Sequence, residues 1–137
     1  MRLPSYRRTV RQRLGLVGEV CPNCGAKLFP PRDVCPECRG PAKEPFQFSG
    51  EGTVHSFTSL TSGPERFEEY TPYSVALVKL KEGPVVTAQL TDVKAEDVYI
   101  GMPVEMVTRR MYQEGDDGII VHNYKFRPQL QKVSGVA

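Results

Sequence analysis

The chain is poor in the groups that most enzyme chemistry and membrane insertion require. Among 137 residues there are only two histidines, His55 and His122. Each falls inside an apparent β segment, and neither has a Cys, Ser or Asp neighbour that suggests a proton relay. A partly buried strand histidine is the simpler expectation for both. No run of 18 apolar residues occurs, so no segment is expected to span a bilayer as a helix. The basic start, Met1 to Arg8, has no apolar stretch behind it, so it does not read as a secretory signal, and a cytoplasmic location is expected. Gly50-x-Gly52 stands alone and opens a strand, so no phosphate-cradling loop is expected. There is no internal repeat and no low-complexity tract. The acidic pairs Glu68-Glu69, Glu96-Asp97 and Asp116-Asp117 lie in apparent loops and read as solvated faces rather than paired acid and base.

What the chain does have is four cysteines in one pattern, Cys21-x2-Cys24-x10-Cys35-x2-Cys38. A C-x2-C pair puts two thiolates on one tight turn, and two such turns close a tetrahedron around one ion. Gly25 follows one knuckle and Arg39-Gly40 the other, and turns of this kind aim backbone N–H groups at sulfur. Disulfides or free thiols are the competing reading, which a reducing compartment disfavours. Zinc is the expected ion. Iron is the alternative occupant, because four thiolates hold iron in rubredoxins, but rubredoxin knuckles are usually separated by a longer gap. Four thiolates leave no coordination position for water or substrate, so the expected role is structural rather than catalytic.

The chain divides into four expected segments. Residues 1–17 carry an N-terminal helix over 3–14, with Leu3, Tyr6, Val10 and Leu14 at helical spacing, Pro4 in the first turn, and Gly15 and Gly18 at the end. One stripe on so short a helix must dock on the chain's own body or on a partner. Residues 18–46 form the zinc ribbon, where five prolines between Pro22 and Pro41 exclude a helix. Residues 47–128 read as five strands: 50–60, 73–80, 84–90, 104–112 and 119–126. Glu82-Gly83 makes a tight hairpin, residues 61–72 a loop, and 92–98 a short helical turn with Asp92 as a candidate cap. That order fits a mostly β chain closed as a small OB-fold barrel. Residues 129–137 are expected to be a flexible tail.

Charge is uneven. Residues 1–50 hold nine Lys/Arg against four Asp/Glu, a surplus of +5, whereas residues 51–137 hold nine against twelve, −3. The basic half reads either as a solvated face or as a surface for an acidic partner or a phosphate-bearing ligand.

With ribbon and barrel both in view, the chain resembles the zinc-ribbon/OB-fold proteins associated with acyl-CoA enzymes, long filed as a domain of unknown function. The resemblance runs from about Arg13 to Pro128. It rests on Arg13-Leu-Gly-Leu-Val-Gly18, Cys21-Pro-Asn-Cys-Gly25, Phe29-Pro-Pro-Arg32 and Cys35-Pro-Glu-Cys38. It continues through Gly50-Glu-Gly-Thr-Val-His-Ser-Phe57, Pro72-Tyr-Ser-Val-Ala-Leu-Val78, Glu82-Gly-Pro84, Ile100-Gly-Met-Pro-Val104 and Tyr124-Lys-Phe-Arg-Pro128. The resemblance implies a rubredoxin-like zinc ribbon before the barrel and a non-catalytic partner of a thiolase-fold enzyme. The type is a bridge between acetoacetyl-CoA thiolase and hydroxymethylglutaryl-CoA synthase that helps pass an acyl-CoA towards the mevalonate route. Arg7, Arg8, Arg11, Arg13 and Arg32 are then the candidate contacts to coenzyme A phosphates or an acidic enzyme face, with Lys79 and Lys81 weaker. The alternative is a single-stranded nucleic-acid-binding barrel. Against it, the central strands carry only Tyr73 as a stacking group, and the barrel half is net acidic. A metal-dependent enzyme is the third reading, opposed by the closed thiolate shell.

Overall fold

The computed structural model describes residues 3–65, 67 and 71–130. Two short helices open the chain, α1 (Leu3–Arg8) and α2 (Val10–Gly15). The expected single helix is broken at Thr9, whose hydroxyl turns back onto the Ser5 carbonyl at 2.9 Å, as threonine does when it competes with the helix ladder. The break leaves the Tyr6 carbonyl to the Arg13 guanidinium, which donates to it at 2.8 Å. The expected apolar stripe does not dock as a unit. Tyr6 is buried, against Tyr112, Val121, Phe67 and Met111, whereas Leu3, Val10 and Leu14 are exposed. The helix stop is Leu16, not a glycine, at φ 52° and ψ 47°. Complete burial of its side chain offsets the roughly 1–2 kcal/mol that left-handed backbone costs an L-residue.

The next segment is built of short strands and holds no helix, as its prolines require. In one small sheet β1 (Val17–Val20) lies between β2 (Lys27–Leu28) and β5 (Glu44–Gln47); β3 (Asp33–Val34) and β4 (Pro41–Ala42) form another pair. Gly18 sits inside β1 rather than ending a helix. A Cβ there would lie 2.1 Å from the Leu28 carbonyl oxygen and 2.7 Å from the Phe48 ring.

Five long strands follow: β6 (Glu51–Leu60), β7 (Tyr73–Leu80), β8 (Val85–Gln89), β9 (Pro103–Gln113) and β10 (Ile120–Pro128). Their order is β10-β9-β6-β7-β8, all pairs antiparallel. A parallel bridge from Leu90 to Phe126 joins the two ends. This is the expected OB-fold barrel. Strand β7 shows the pattern that closes it: Ser74, Ala76, Val78 and Leu80 point in, and their neighbours point out. Phe126, Val104, Val54 and Val78 are almost wholly buried in its core. Leu16 after α2, Phe29 of the ribbon and Phe48 before β6 join that same core, with edge-on ring pairs Phe29–Phe48 at 5.9 Å and Phe29–Tyr124 at 5.8 Å.

Three local expectations change. The helical turn is a single 3-10 turn over Ala95–Asp97 preceded by Lys94. Asp92 does not cap it. It takes a left-handed backbone, φ 60°, and pairs with Arg109 at 3.1 Å. Both histidines are exposed rather than partly buried. His55 is the extra residue of a β-bulge in β6, which throws its side chain outward. At the other end Arg127 pairs with Glu105 at 2.9 Å and Gln129 donates its N–H to the Pro103 carbonyl, so the chain is held to residue 129. Residues 131–137 of the expected tail lie outside the described residues, as do Glu68 and Glu69; Glu96, Asp97, Asp116 and Asp117 are exposed. Among the described residues no helix is long and apolar enough to cross a membrane.

Candidate metal centre and its cationic surround

The two C-x2-C segments fold into the same turn. In the first, the Gly25 N–H reaches the Cys21 carbonyl at 2.9 Å and the Cys21 N–H reaches the Ala26 carbonyl at 2.8 Å. In the second, the Arg39 N–H reaches Cys35 and the Cys35 N–H reaches Gly40, both at 2.9 Å. The residue after each second cysteine is left-handed, Gly25 at φ 76° and Arg39 at φ 62°. The two turns face each other and bring four sulfurs together, all within 4.8 Å of one another. Cys21 and Cys38 stand 3.4 Å apart, Cys24 and Cys35 3.5 Å. Sulfurs held at about 2.3 Å from one ion in a tetrahedron sit about 3.8 Å apart, so the cluster fits a four-thiolate metal site. Among the described residues no other group of three or more Cys, His, Asp or Glu converges in this way.

The knuckle amides act on the sulfurs as the spacing implied. The Gly40 N–H, with Cys21 and the Asn23 side chain, pulls Cys38 down to about 6. The Ala26 N–H acts the same way on Cys24, but there the hydrogen bonds to Cys35 and Cys21 prevail and push it up to about 12. Four thiols in one place cannot all ionise without a cation between them, so metal binding and proton release are one event.

A carboxylate the sequence reading passed over supports the centre from below. Glu19, buried on β1, accepts the Arg32 N–H at 3.0 Å and the Asp33 N–H at 2.8 Å. It thereby pins the loop between the knuckles, where Asp33 is itself left-handed at φ 64°. Nothing in the spacing marked Glu19; its partners come from a loop 13 and 14 residues away.

The candidate arginines separate into groups. Arg8 and Arg11 line a shallow groove of about 180 Å³ between α2 and the ribbon, together with Lys43, which the sequence reading also missed. Arg7 and Arg32 are exposed, next in sequence to Arg8 and Pro31, which line that groove. Arg13 is turned inward. It donates to the Tyr6 carbonyl, the Thr9 hydroxyl and, at 2.6 Å, the His122 carbonyl, and its guanidinium lies 5.4 Å from the Tyr6 ring centre. On the barrel, Lys81 sits 3.7 Å from Glu51 and Lys79 is exposed.

Comparison with known proteins follows the same division. Residues 8–44 match the family described as ChsH2, rubredoxin-like zinc ribbon domain, and residues 47–109 match ChsH2, C-terminal OB-fold domain. A solved structure described as an Ltp2-ChsH2(DUF35) aldolase superposes with a TM-score of 0.68 at 30% identity, covering 90% of each chain. A probable enoyl-CoA hydratase alpha subunit of Thermomonospora curvata is 34% identical over 65% of this chain but only 28% of its own length. A DUF35 domain-containing scaffold protein of Pyrococcus furiosus is 49% identical over 96% of both chains. With ribbon and barrel both covered at that level, the chain belongs to the DUF35 scaffold-protein family.

Proposed function

We propose that the chain is a non-catalytic, cytoplasmic scaffold subunit of an acyl-CoA-processing complex, with a partner of the thiolase fold. The partner type is acetoacetyl-CoA thiolase, hydroxymethylglutaryl-CoA synthase or both, and the chain helps hold the acyl-CoA between them. The observation that carries this reading is the 49% identity to a named scaffold protein along 96% of both chains. The metal shell agrees with it. Zinc held by Cys21, Cys24, Cys35 and Cys38 has every position filled by sulfur and contributes folding free energy rather than chemistry. Arg8, Arg11 and Lys43 offer a site for phosphate or carboxylate groups of a cofactor or partner, with Arg7 and Arg32 flanking it. A nucleic-acid role draws no support from β7 and β8, whose exposed residues are Leu77, Lys79, Val85 and Thr87.

The test is affinity capture of the tagged chain from its native host, with mass spectrometry of what is retained. A thiolase-fold enzyme retained by the native chain, and lost from the Arg8→Glu/Arg11→Glu variant, is the expected result. Retention of nucleic acid with no such enzyme would overturn the reading.

A further inference from the structure

The groove of Arg8, Arg11 and Lys43 also holds a carboxylate. Glu19 is among its lining residues and is 7% exposed. In the small sheet Glu19 lies opposite Pro45, and Val17 precedes it by two positions on β1. Residues opposite each other, or two apart along a strand, project on the same face. Pro45 and Val17 both line the groove, so the Glu19 side chain leaves β1 on the groove side.

Only one of its oxygens is engaged. Oε2 accepts the Arg32 and Asp33 N–H groups of the loop between the knuckles. Oε1 has no partner among the described residues. No fully buried side-chain nitrogen or oxygen among those residues lacks a partner, so Oε1 is not sealed in and opens towards the groove. Arg8, Arg11 and Lys43 pair with no carboxylate among the described residues either. Three cations and one acceptor thus line a single concavity without satisfying one another.

A ligand here must answer both signs. A bare anion meets the cations but sets its charge against Glu19, a repulsion that doubles from a monoanion to a dianion. A carboxylate with an N–H donor close to it avoids that conflict. The carboxylate takes the cations, the N–H takes Oε1, and both contacts are charge-assisted. An acidic residue in a polypeptide carries this pair ready-made, since its backbone N–H lies a few bonds from its own carboxylate. Size points the same way. About 180 Å³ is less than the roughly 300 Å³ at which small-molecule sites begin, so the groove suits one side chain with its backbone rather than a whole cofactor. Pro45 on the outer strand β5 blunts strand addition there, which leaves side-chain recognition.

We propose that the groove is a mixed-charge socket for an acidic residue of a partner protein, its carboxylate on Arg8, Arg11 and Lys43 and its backbone N–H on Glu19. This rests on the groove being the scaffold's anion contact and narrows that reading: the group recognised is a peptide carboxylate, not a phosphate. Glu19 serves twice, holding the knuckle loop with one oxygen and meeting the partner with the other.

The probe is the capped peptide acetyl-Ala-Glu-Ala-amide, titrated into the full, zinc-loaded chain at constant ionic strength and followed by amide chemical shifts. Its counterpart methylated at every backbone nitrogen, with the same charge and no backbone N–H, and inorganic phosphate are titrated in parallel. The expected result is saturable shifts at residues 8–12, 17–19 and 43, with the peptide at least fivefold tighter than its methylated form. Glu19→Gln keeps a carbonyl for the Arg32 and Asp33 N–H groups and turns an amide NH2 to the groove. It should therefore weaken the peptide several-fold and tighten phosphate, whereas a merely structural role for Glu19 would move both ligands the same way. Lys43→Glu, an exposed change, should weaken the peptide at least fivefold and decides the matter if Glu19→Gln loses its zinc. The inference is overturned by phosphate binding as tightly as the peptide, by equal affinity for the methylated form, by Glu19→Gln shifting both ligands together, or by a peptide affinity that Lys43→Glu leaves unchanged. Each of those results leaves the scaffold reading standing, because that reading falls only to the capture experiment.

Discussion

Around the knuckles the ribbon buries Cys21, Leu28, Cys35 and Ala42, and two of those four are metal-ligand candidates. The barrel gathers fourteen buried residues, from Leu16 to Phe126, into one cluster. About twenty residues of knuckle and loop thus have almost no apolar interior, whereas the barrel has an interior large enough to borrow from. The ribbon's Phe29 goes to the barrel's core instead of to the knuckles, and its Phe46 packs against that core. The difference separates two sources of order in one small chain. Area removed from water holds the barrel and the ribbon's inner layer, and metal coordination holds the knuckles.

The largest effect should come from breaking the metal side of that comparison. Zinc–thiolate sites contribute roughly 10–16 kcal/mol in small modules, far beyond what Leu28 and Ala42 can replace. Cys35→Ser, or chelation of the native chain, should melt residues 21–42 while amides of β6, β7 and β10 stay protected from hydrogen exchange. Metal analysis of Cys35→Ser should show zinc lost. Full zinc occupancy in that variant, or loss of protection in ribbon and barrel together, would sink the division into two sources of order.

The complementary break is in the barrel. Phe126 is wholly buried in the same cluster as Val54, Val78 and Val104, so Phe126→Ala should cost about 3–5 kcal/mol. The midpoint of denaturant unfolding followed by β-sheet circular dichroism reports it. Because the ribbon's Phe29 shares that core, the ribbon should loosen with the barrel, even with metal bound. A variant that unfolds its barrel while ribbon amides keep full protection would show that the ribbon stands alone on its zinc.

The two regions also differ in how openly their sequences announce them. The candidate metal centre is legible because its four cysteines lie within 18 residues and its geometry is set by local turns. The strands are legible from their β-branched and aromatic residues between turn signals, and β7 and β8 also alternate, as Ser74, Ala76, Val78 and Leu80 do. Features that depend on distant partners stay hidden. Tyr6 reads as one member of a helical stripe, but its hydroxyl bonds that of Tyr112, 106 residues away. Arg13 reads as one of several free cations, but its guanidinium is spent on carbonyls at Tyr6 and His122. Asp92 looks like a helix cap because Asp often is one, and the pairing with Arg109 that displaces it crosses 17 residues. Lys43 joins Arg8 and Arg11 only through the fold.

That hidden contact yields a smaller, pH-dependent effect where α1 meets the barrel. Burial, then Tyr112 and then Glu114 raise the Tyr6 phenol well above its usual value. A group raised in the folded state stabilises fully below its unfolded pKa, about 10 for tyrosine, and that contribution is lost as pH climbs above it. Docking of α1 should therefore weaken above about pH 10 while the ribbon and barrel amides remain protected. Tyr6→Phe should remove the alkaline sensitivity and cost about 1–2 kcal/mol at neutral pH by leaving the Tyr112 hydroxyl without that partner. Amide exchange at α1 and α2 in both proteins measures the two effects. Equal alkaline sensitivity with and without the Tyr6 hydroxyl would assign the loss elsewhere.

The smallest effect compares the two knuckles with each other. They share their hydrogen bonds but not the residue at the left-handed position, Gly25 in one and Arg39 in the other. A Cβ at Gly25 would meet nothing within 4 Å, so the position is strained by backbone conformation alone rather than by crowding. Arg39 is exposed and its strain of roughly 1–2 kcal/mol is partly offset because glycine costs about 0.5–1 kcal/mol more backbone entropy on folding. Arg39→Gly should therefore stabilise the zinc-bound ribbon by about 0.5–1 kcal/mol, and Gly25→Arg should destabilise it by a similar amount. Competition for zinc against a chelator of known affinity reads both, since stability of the folded knuckle and apparent metal affinity are linked. If Arg39→Gly weakened zinc binding instead, the arginine side chain rather than the backbone would be what sets the second knuckle, and the near-symmetry of the two turns would end at their hydrogen bonds.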